Sequence, residues 1–477
     1  MRARGCFKRA AAAFVTGLCL LGAGTSQGAE SSAGAVLDPG FGTGGVARLP
    51  SSSPSAASGV GTADGGLLAS EGLGVRALSS LGTAGEAFGG GGSLAVPAPA
   101  PGDRFEITDL TLDSHGRLLV AGDMVFPESE NPSPYLENGA RAFEPKVVRI
   151  VRLLPDGALD PSFGQGGVVE TDLGLPPPRD IYGHRLGPHP VVEAAAVAID
   201  PQGRIVITGS AAFGMSRPCR GHDIFAPVAD SAGFVARLTE GGVPDPSFGA
   251  NGLIGGHGLG GTPLGATALD DPVVGPTGAI TIRAAGANIC KPLRSHLGLA
   301  RLTADGRLAR GFGKNGAILG PYRALIGEPG GAALALAVVP RRRPEKEGFR
   351  VRLIRLTADG APDRSFGRGG AALLNLGPGA HGALDSLALD PKGRILIGGR
   401  SGFGRGSALV LIRVAQDGRW ERDFGPRGRV VTPVARVAEY GGNDMFFDSQ
   451  GRLIVIRLYT GSQGGSPGLL IARYLLH

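Results

Sequence analysis

Five carboxylates hold corresponding places in a repeating chain: Glu106, Asp109, Glu193, Asp385 and Asp444, with Asn443 beside the last. Each falls near the start of the first apolar run of its repeat. Carboxylates from several repeats converging on one axis would give hard oxygen ligands of the kind calcium takes. Held in a cleft, the same groups would serve acid–base chemistry. The competing reading is a solvated acidic rim. His184 and His189, in the proline-rich stretch 170–190, are the remaining candidates for ligand contact. No His-Glu-x-x-His, Gly-x-Ser-x-Gly, phosphate-cradling loop or calcium loop occurs. No catalytic residue, metal ligand or cofactor is therefore assigned from a motif.

What must position these groups is a landmark that recurs along the chain. Leu159-Asp160-Pro161-Ser162-Phe163-Gly164 returns in altered form around Phe41, Phe88, Phe248, Phe312, Phe366 and Phe424. The steps between phenylalanines are 47, 75, 85, 64, 54 and 58 residues. Such uneven spacing excludes a solenoid of fixed coil length and suits blades with loops of variable size. Asp-Pro starts a turn, the phenylalanine enters the core, and glycine permits the sharp exit.

A second landmark precedes each phenylalanine. Asp200-Pro201-Gln202-Gly203-Arg204-Ile205 matches Asp390-Pro391-Lys392-Gly393-Arg394-Ile395, with weaker copies at Asp113 and Asp448. This reads as strand, tight turn, strand, the aspartate bonding its own turn. A third strand carries Arg152, Arg237, Arg301, Arg355, Arg413 or Arg473. One arginine per repeat implies pairing with a blade-closing carboxylate, as Arg237 with Asp245, rather than a polyanion stripe. Four antiparallel strands per repeat make a β-propeller blade.

The expected fold is all-β: a seven-bladed β-propeller of four-stranded antiparallel blades. The ring is closed by the N-terminal strand at 46–49 joining the last blade, which removes a free sheet edge. Residues 1–29 are read as a signal peptide, 30–36 as a short linker and 37–477 as the propeller. The units are placed at 58–96, 104–171, 191–257, 265–319, 323–373, 383–433, and 435–477 with 37–49.

The Leu-Asp-Pro-Ser-Phe-Gly-x-Gly-Gly stretch, with Asp-x-x-Gly-Arg-Ile upstream, resembles the delta-60 repeat family of bacterial, often secreted, propeller-like proteins. The likeness runs over nearly all of residues 37–477. It implies a propeller and export, and it carries no active-site residues.

The leader has Arg2, Arg4, Lys8 and Arg9 ahead of a short apolar run, too short to span a bilayer. Cleavage leaves no membrane span and places the protein outside the cell, in the periplasm or at the cell surface. Losing four basic residues takes the formal charge from +7 to +3, so no nucleic-acid partner is expected. Cys219 and Cys290 remain, an even pair in consecutive units, and are expected to form a disulfide.

Glycine at 84 and proline at 36 residues fill the turns, while 42% hydrophobic content feeds a large core. Long insertions at 125–145, 170–190 and 211–230 fall on one face. The sequence thus points to a monomeric, non-catalytic scaffold or binding module for a protein or polysaccharide, acting through those loops. The alternative is a channel-mouth hydrolase or lyase on a sugar polymer or lactone. One tryptophan and six tyrosines are few for carbohydrate platforms.

Overall fold

The computed structural model describes residues 34–477 except 52–56, 86–87, 90, 97–101, 127–144, 180–184, 186–188, 217–227, 256–267, 286–297, 341–348, 377–383, 402–405, 435–436, 438–442 and 460–466. The leader, Cys219, Cys290, His184 and most of the three long insertions lie outside the described residues.

Strands β1 (Ala35–Leu37) and β2 (Val46–Pro50) precede a sheet of β3 (Gly59–Gly61), β4 (Leu67–Glu71), β5 (Gly74–Leu78) and β6 (Ser93–Ala95). Next come β7 (Arg104–Leu112), β8 (Leu118–Val125), β9 (Lys146–Leu153) and β10 (Val168–Thr171), then β11 (Val191–Ile199), β12 (Ile205–Ser216), β13 (Val228–Leu238) and β14 (Leu253–Gly255). Three four-stranded sheets follow. They are β15 (Ala268–Val274), β16 (Ile280–Ala285), β17 (Gly298–Leu302) and β18 (Ala317–Leu319); β19 (Tyr322–Gly327), β20 (Ala333–Pro340), β21 (Phe349–Leu356) and β22 (Ala371–Asn375); and β23 (Leu384–Leu389), β24 (Ile395–Ser401), β25 (Ala408–Val414) and β26 (Val430–Pro433). The last sheet holds β27 (Asn443–Phe447), β28 (Leu453–Tyr459) and β29 (Gly468–Leu476), with β1 and β2 both paired to β29. Val46 lies opposite Ala472, and Ala35 opposite Leu476.

The expectation of seven separate four-stranded blades is overturned. Five sheets have the width of a blade, four of four strands and one of five; the sixth has eight strands, β7 to β14. Two repeats merge there because β11 meets β9 in parallel, Val191 opposite Lys146. The Lys146 N–H donates to the Pro190 carbonyl at 3.2 Å. The Lys146 ammonium then bridges Glu106 at 3.2 Å and Glu193 at 3.3 Å, one from each repeat.

The first strands β3, β7, β11, β15, β19, β23 and β27 run side by side in that order, and β27 comes back to touch β3. The core lies between neighbouring repeats, as in the cluster shared by β19–β22 and β23–β26 and in the one shared by the two merged repeats. The landmark phenylalanines enter these clusters at 0–5% exposure. Burying such a ring contributes about 1.5–3 kcal/mol.

Five of the landmarks, at Phe41, Phe163, Phe248, Phe366 and Phe424, are also clasps. Arg237 lays its guanidinium over the Phe248 ring at 4.4 Å and donates Nε to Asp245 at 2.8 Å. Its Nη1 reaches the Ala304 carbonyl of the next repeat at 2.6 Å. Arg152 does the same with Phe163, Asp160 and the Glu240 carbonyl. Arg301 departs from the expected carboxylate pairing: Ala309 stands at the aspartate's place, and the guanidinium donates to Thr281 Oγ1 at 2.9 Å instead. The glycine after each phenylalanine is required. At Gly164, with φ of 52°, a Cβ would stand 2.2 Å from the Val168 carbonyl oxygen. Its N–H donates to the Gly241 carbonyl of the next repeat at 3.0 Å.

The turn aspartates act on their own turns. Asp200 Oδ1 accepts N–H groups from Gln202 and Arg204, both at 2.9 Å, and Oδ2 takes Arg204 Nε at 2.6 Å. Asp113, Asp390 and Asp448 repeat this with Arg117, Arg394 and Arg452.

Candidate functional site

The first strands enclose a cavity of about 280 Å³. Six of them, and the segment just before β3, each contribute at least two consecutive residues to its wall: Ala57-Ser58, Thr108-Asp109, Ala195-Ala196, Asp270-Asp271, Arg323-Ala324, Asp385-Ser386 and Asn443-Asp444. Strand alternation would turn only one of each pair inward. In five of the strands a β-bulge changes that. The register slips between Ile107 and Asp109, Ala194 and Ala196, Asp270 and Val273, Tyr322 and Ala324, and Leu384 and Ser386. Each extra residue re-aims its side chain. Asp271 sits in its bulge at a φ of 47°, a conformation aspartate tolerates better than most residues.

Four of the second residues, Ser58, Asp109, Asp271 and Asp444, form a tier that joins neighbouring strands. Asp109 Oδ2 accepts the Val197 N–H at 2.9 Å, and Asp444 Oδ2 accepts the Gly59 N–H at 2.9 Å. Asp271 Oδ2 accepts the Leu325 N–H at 3.2 Å, and Ser58 Oγ accepts the Leu110 N–H at 3.1 Å. In every case the donor belongs to the first strand of the following repeat.

Charges in the wall are mostly matched. Arg283 donates Nε to Asp271 at 2.7 Å and Nη2 to Asp270. Arg457 holds Asp385 with two bonds, at 2.6 and 3.0 Å. Arg323 is exposed on its bulge and has no ion pair or hydrogen bond among the described residues.

Asp109 is half-buried and lines the cavity. Burial pushes its carboxyl up to about 7, and the Asp444 carboxylate adds to the rise against hydrogen bonds from Val197, Ser58 and Leu110. Burial likewise raises Asp444 to about 6. Asp271 rises to about 6 through burial and then Asp270, with Arg283 opposing. These are values at which a carboxyl exchanges protons near neutral pH.

Of the expected contact residues, Asp109, Asp385, Asn443 and Asp444 meet in this cavity. Glu106 and Glu193 do not line it; both pair with Lys146. Burial works against ionised Glu106, but Lys146 and Arg104 outweigh it and hold the carboxyl below its usual range. His189 stacks on Phe126, ring centroids 4.4 Å apart, and His184 lies outside the described residues. Among the described residues, no three His, Cys, Asp or Glu side chains converge to hold a metal ion.

Sequence reasoning missed Asp270, Asp271, Arg283 and Arg323. A signal existed: Asp109, Ala196, Ser386 and Asp444 each stand four residues before the turn aspartate of their repeat. The repeats carrying Asp271 and Arg323 have Gly275 and Glu328 at that turn, so the marker is lost there.

The sequence profile of the family described as domain of unknown function (DUF5122) beta-propeller matches residues 145–163 and 347–366. The chain is a β-propeller. Both matched segments of the propeller run from the third strand of a repeat to its phenylalanine, and so contain the Arg152–Asp160–Phe163 and Arg355–Asp363–Phe366 clasps. No curated protein matches the chain in sequence.

Solved structures similar to the propeller include a gluconolactonase from Xanthomonas campestris, 15% identical, over 80% of this chain and 97% of that one, with a TM-score of 0.29. The Nup133 β-propeller domain of Vanderwaltozyma polyspora is 12% identical over 90% and 97%, with a TM-score of 0.40. A subtype N10 neuraminidase-like protein of a bat influenza A virus is 10% identical over 90% and 98%, with a TM-score of 0.32. None of these likenesses bears on activity. No helix among the described residues is long and apolar enough to cross a membrane.

Proposed function

We propose that this β-propeller is an exported, non-catalytic binding module whose ligand is a small polar molecule held in the central cavity. The observation that carries the reading is the wall itself. Arg283 and Arg457 are occupied by Asp270, Asp271 and Asp385, whereas Arg323 stays open beside the hydroxyl and amide groups of Ser58, Thr108, Ser386 and Asn443. Convergent polar groups in a concave site are what ligand pockets supply. A volume of about 280 Å³ lies at the small end of the ~300–1,000 Å³ range of such pockets, which suits a ligand of monosaccharide size. Export rests on the charged and apolar leader of residues 1–29, and kinship with the delta-60 repeat proteins on the repeated Asp-Pro-Ser-Phe-Gly stretches.

A thermal-shift panel of monosaccharides, sugar acids and lactones tests the reading, with Ala195→Phe filling the cavity. Hits on the native chain that vanish in the filled variant are expected. A panel without hits, or hits indifferent to the substitution, refutes it.

The second reading is a hydrolase or lyase acting on a lactone or sugar polymer. Asp109 favours it, since a carboxyl raised to about 7 is matched to proton transfer near neutral pH. Turnover of a lactone by the native chain, lost in Asp109→Asn, would select that reading over the first.

A further inference from the structure

We infer that the cavity recognises a small hydroxylated carboxylate, a sugar acid, through Arg323. The inference rests on the cavity being the binding site and adds the chemical class of the ligand. Three observations lead to it.

The first is the position of Arg323. It is the bulged residue of β19, between Tyr322 and Ala324 in the register, so the extra residue turns the guanidinium to the cavity. An ordinary strand position would have left only one of Arg323 and Ala324 facing inward.

The second is the state of its neighbours. The other arginine lining the cavity, Arg283, is bound to Asp270 and Asp271, and Arg457, behind the wall, is bound to Asp385. Arg323 has no such partner among the described residues. A guanidinium presents a planar fork matched to a carboxylate, and two parallel bonds give it selectivity as well as strength.

The third is what surrounds the fork. The acids left without a cation are Asp109 and Asp444. Both carry raised pKa values, about 7 and about 6, which lessens their repulsion of an incoming anion. Ser58 already donates to Asp109 Oδ1 at 2.9 Å, which marks the wall as a place where hydroxyls and carboxyls meet. Ligand hydroxyls would find partners of the same kind.

D-Galacturonate, D-galactose and a trigalacturonate serve as probes, with titration calorimetry and thermal shift on the native chain, Arg323→Ala and Arg323→Lys. Galacturonate is expected to bind the native chain at least tenfold tighter than galactose. Arg323→Ala should lose that preference while its ligand-free melting midpoint stays unchanged, and Arg323→Lys should recover part of it. The trigalacturonate arm separates a free sugar acid from the end of an acidic polysaccharide: binding equal to galacturonate assigns the latter source, weaker binding the former.

Equal binding of galactose and galacturonate, with Arg323→Ala unaltered, overturns the inference yet leaves a neutral-ligand cavity standing. Failure of all three probes overturns it as well, and the wider panel with Ala195→Phe then decides the fate of the binding reading separately.

Discussion

Arg237 combines tasks that are usually shared among several side chains. It is 1% exposed, neutralises Asp245, covers the Phe248 ring and satisfies a carbonyl of the following repeat. Removing one partner of a buried pair leaves an uncompensated charge and costs about 3–5 kcal/mol. Arg237→Met should lower the unfolding free energy by that amount in urea titrations. Arg237→Met with Asp245→Leu should recover most of it, because a packed apolar pair replaces the ions. A single-variant loss below about 1 kcal/mol, the scale of an exposed ion pair, would mean the clasp contributes little. At this scale the sequence was readable wherever a side chain repeats. The pairing follows from the recurrence of an arginine and a carboxylate in most repeats, and Arg301 departs because Ala309 breaks the pattern. Arg323 was unreadable because it occurs in one repeat only, and its orientation comes from a bulge that no residue type announces.

The first strands are joined by their own carboxylates, a link quite different from the ladder bonds inside each sheet. Asp109, Asp271 and Asp444 each reach across to a backbone N–H of the next first strand. This gives stability a pH dependence. The folded chain holds a proton on Asp109 up to about pH 7, whereas the unfolded chain releases it near the ordinary carboxyl value of 3.8. The folded state therefore binds more protons between those values, and unfolding free energy falls as pH rises. The contribution is full below about pH 4 and is lost as pH climbs through 7. Asp444 and Asp271 act in the same sense, with a window ending near 6. Melting midpoints from pH 4 to 8 should decline, and Asp109→Asn should flatten the upper part of that decline. A profile identical to that of the native chain would show that Asp109 is not the titrating group. The strands themselves were legible from the Asp-x-x-Gly-Arg turns. The two-residue wall was not, since strand alternation predicts one inward residue and the bulge supplies the second.

For the molecule as a whole, the all-β propeller was legible in the spacing of the phenylalanines, but the division into sheets was not. Counting landmarks treats every repeat as separate, whereas hydrogen bonding crosses from β9 to β11 and merges two of them. That crossing depends on where Pro190 returns after a long connection, and repeat length alone does not say so. The pairing of β1 and β2 with β29 makes the early segment part of the late sheet. Deleting residues 34–50 would bare the outer side of β29 and strip Arg473 of Asp38, which it holds at 2.8 Å. Such an edge invites association. Gel filtration should show larger species or precipitate for the deletion, and a synthetic 34–50 peptide added in trans should restore the elution volume of the intact chain. A stable species eluting there without the peptide would mean that this pairing is dispensable.

That same pairing sets a timetable. Residues 46–50 leave the ribosome before residues 468–476, with which they pair, so all the intervening strands are synthesised first. Contacts so distant in sequence form slowly. A polypeptide cut short by a premature stop would keep a sticky, unmatched head. Closure of the last sheet thus doubles as a check that translation has passed residue 476, with shorter products left open to proteolysis.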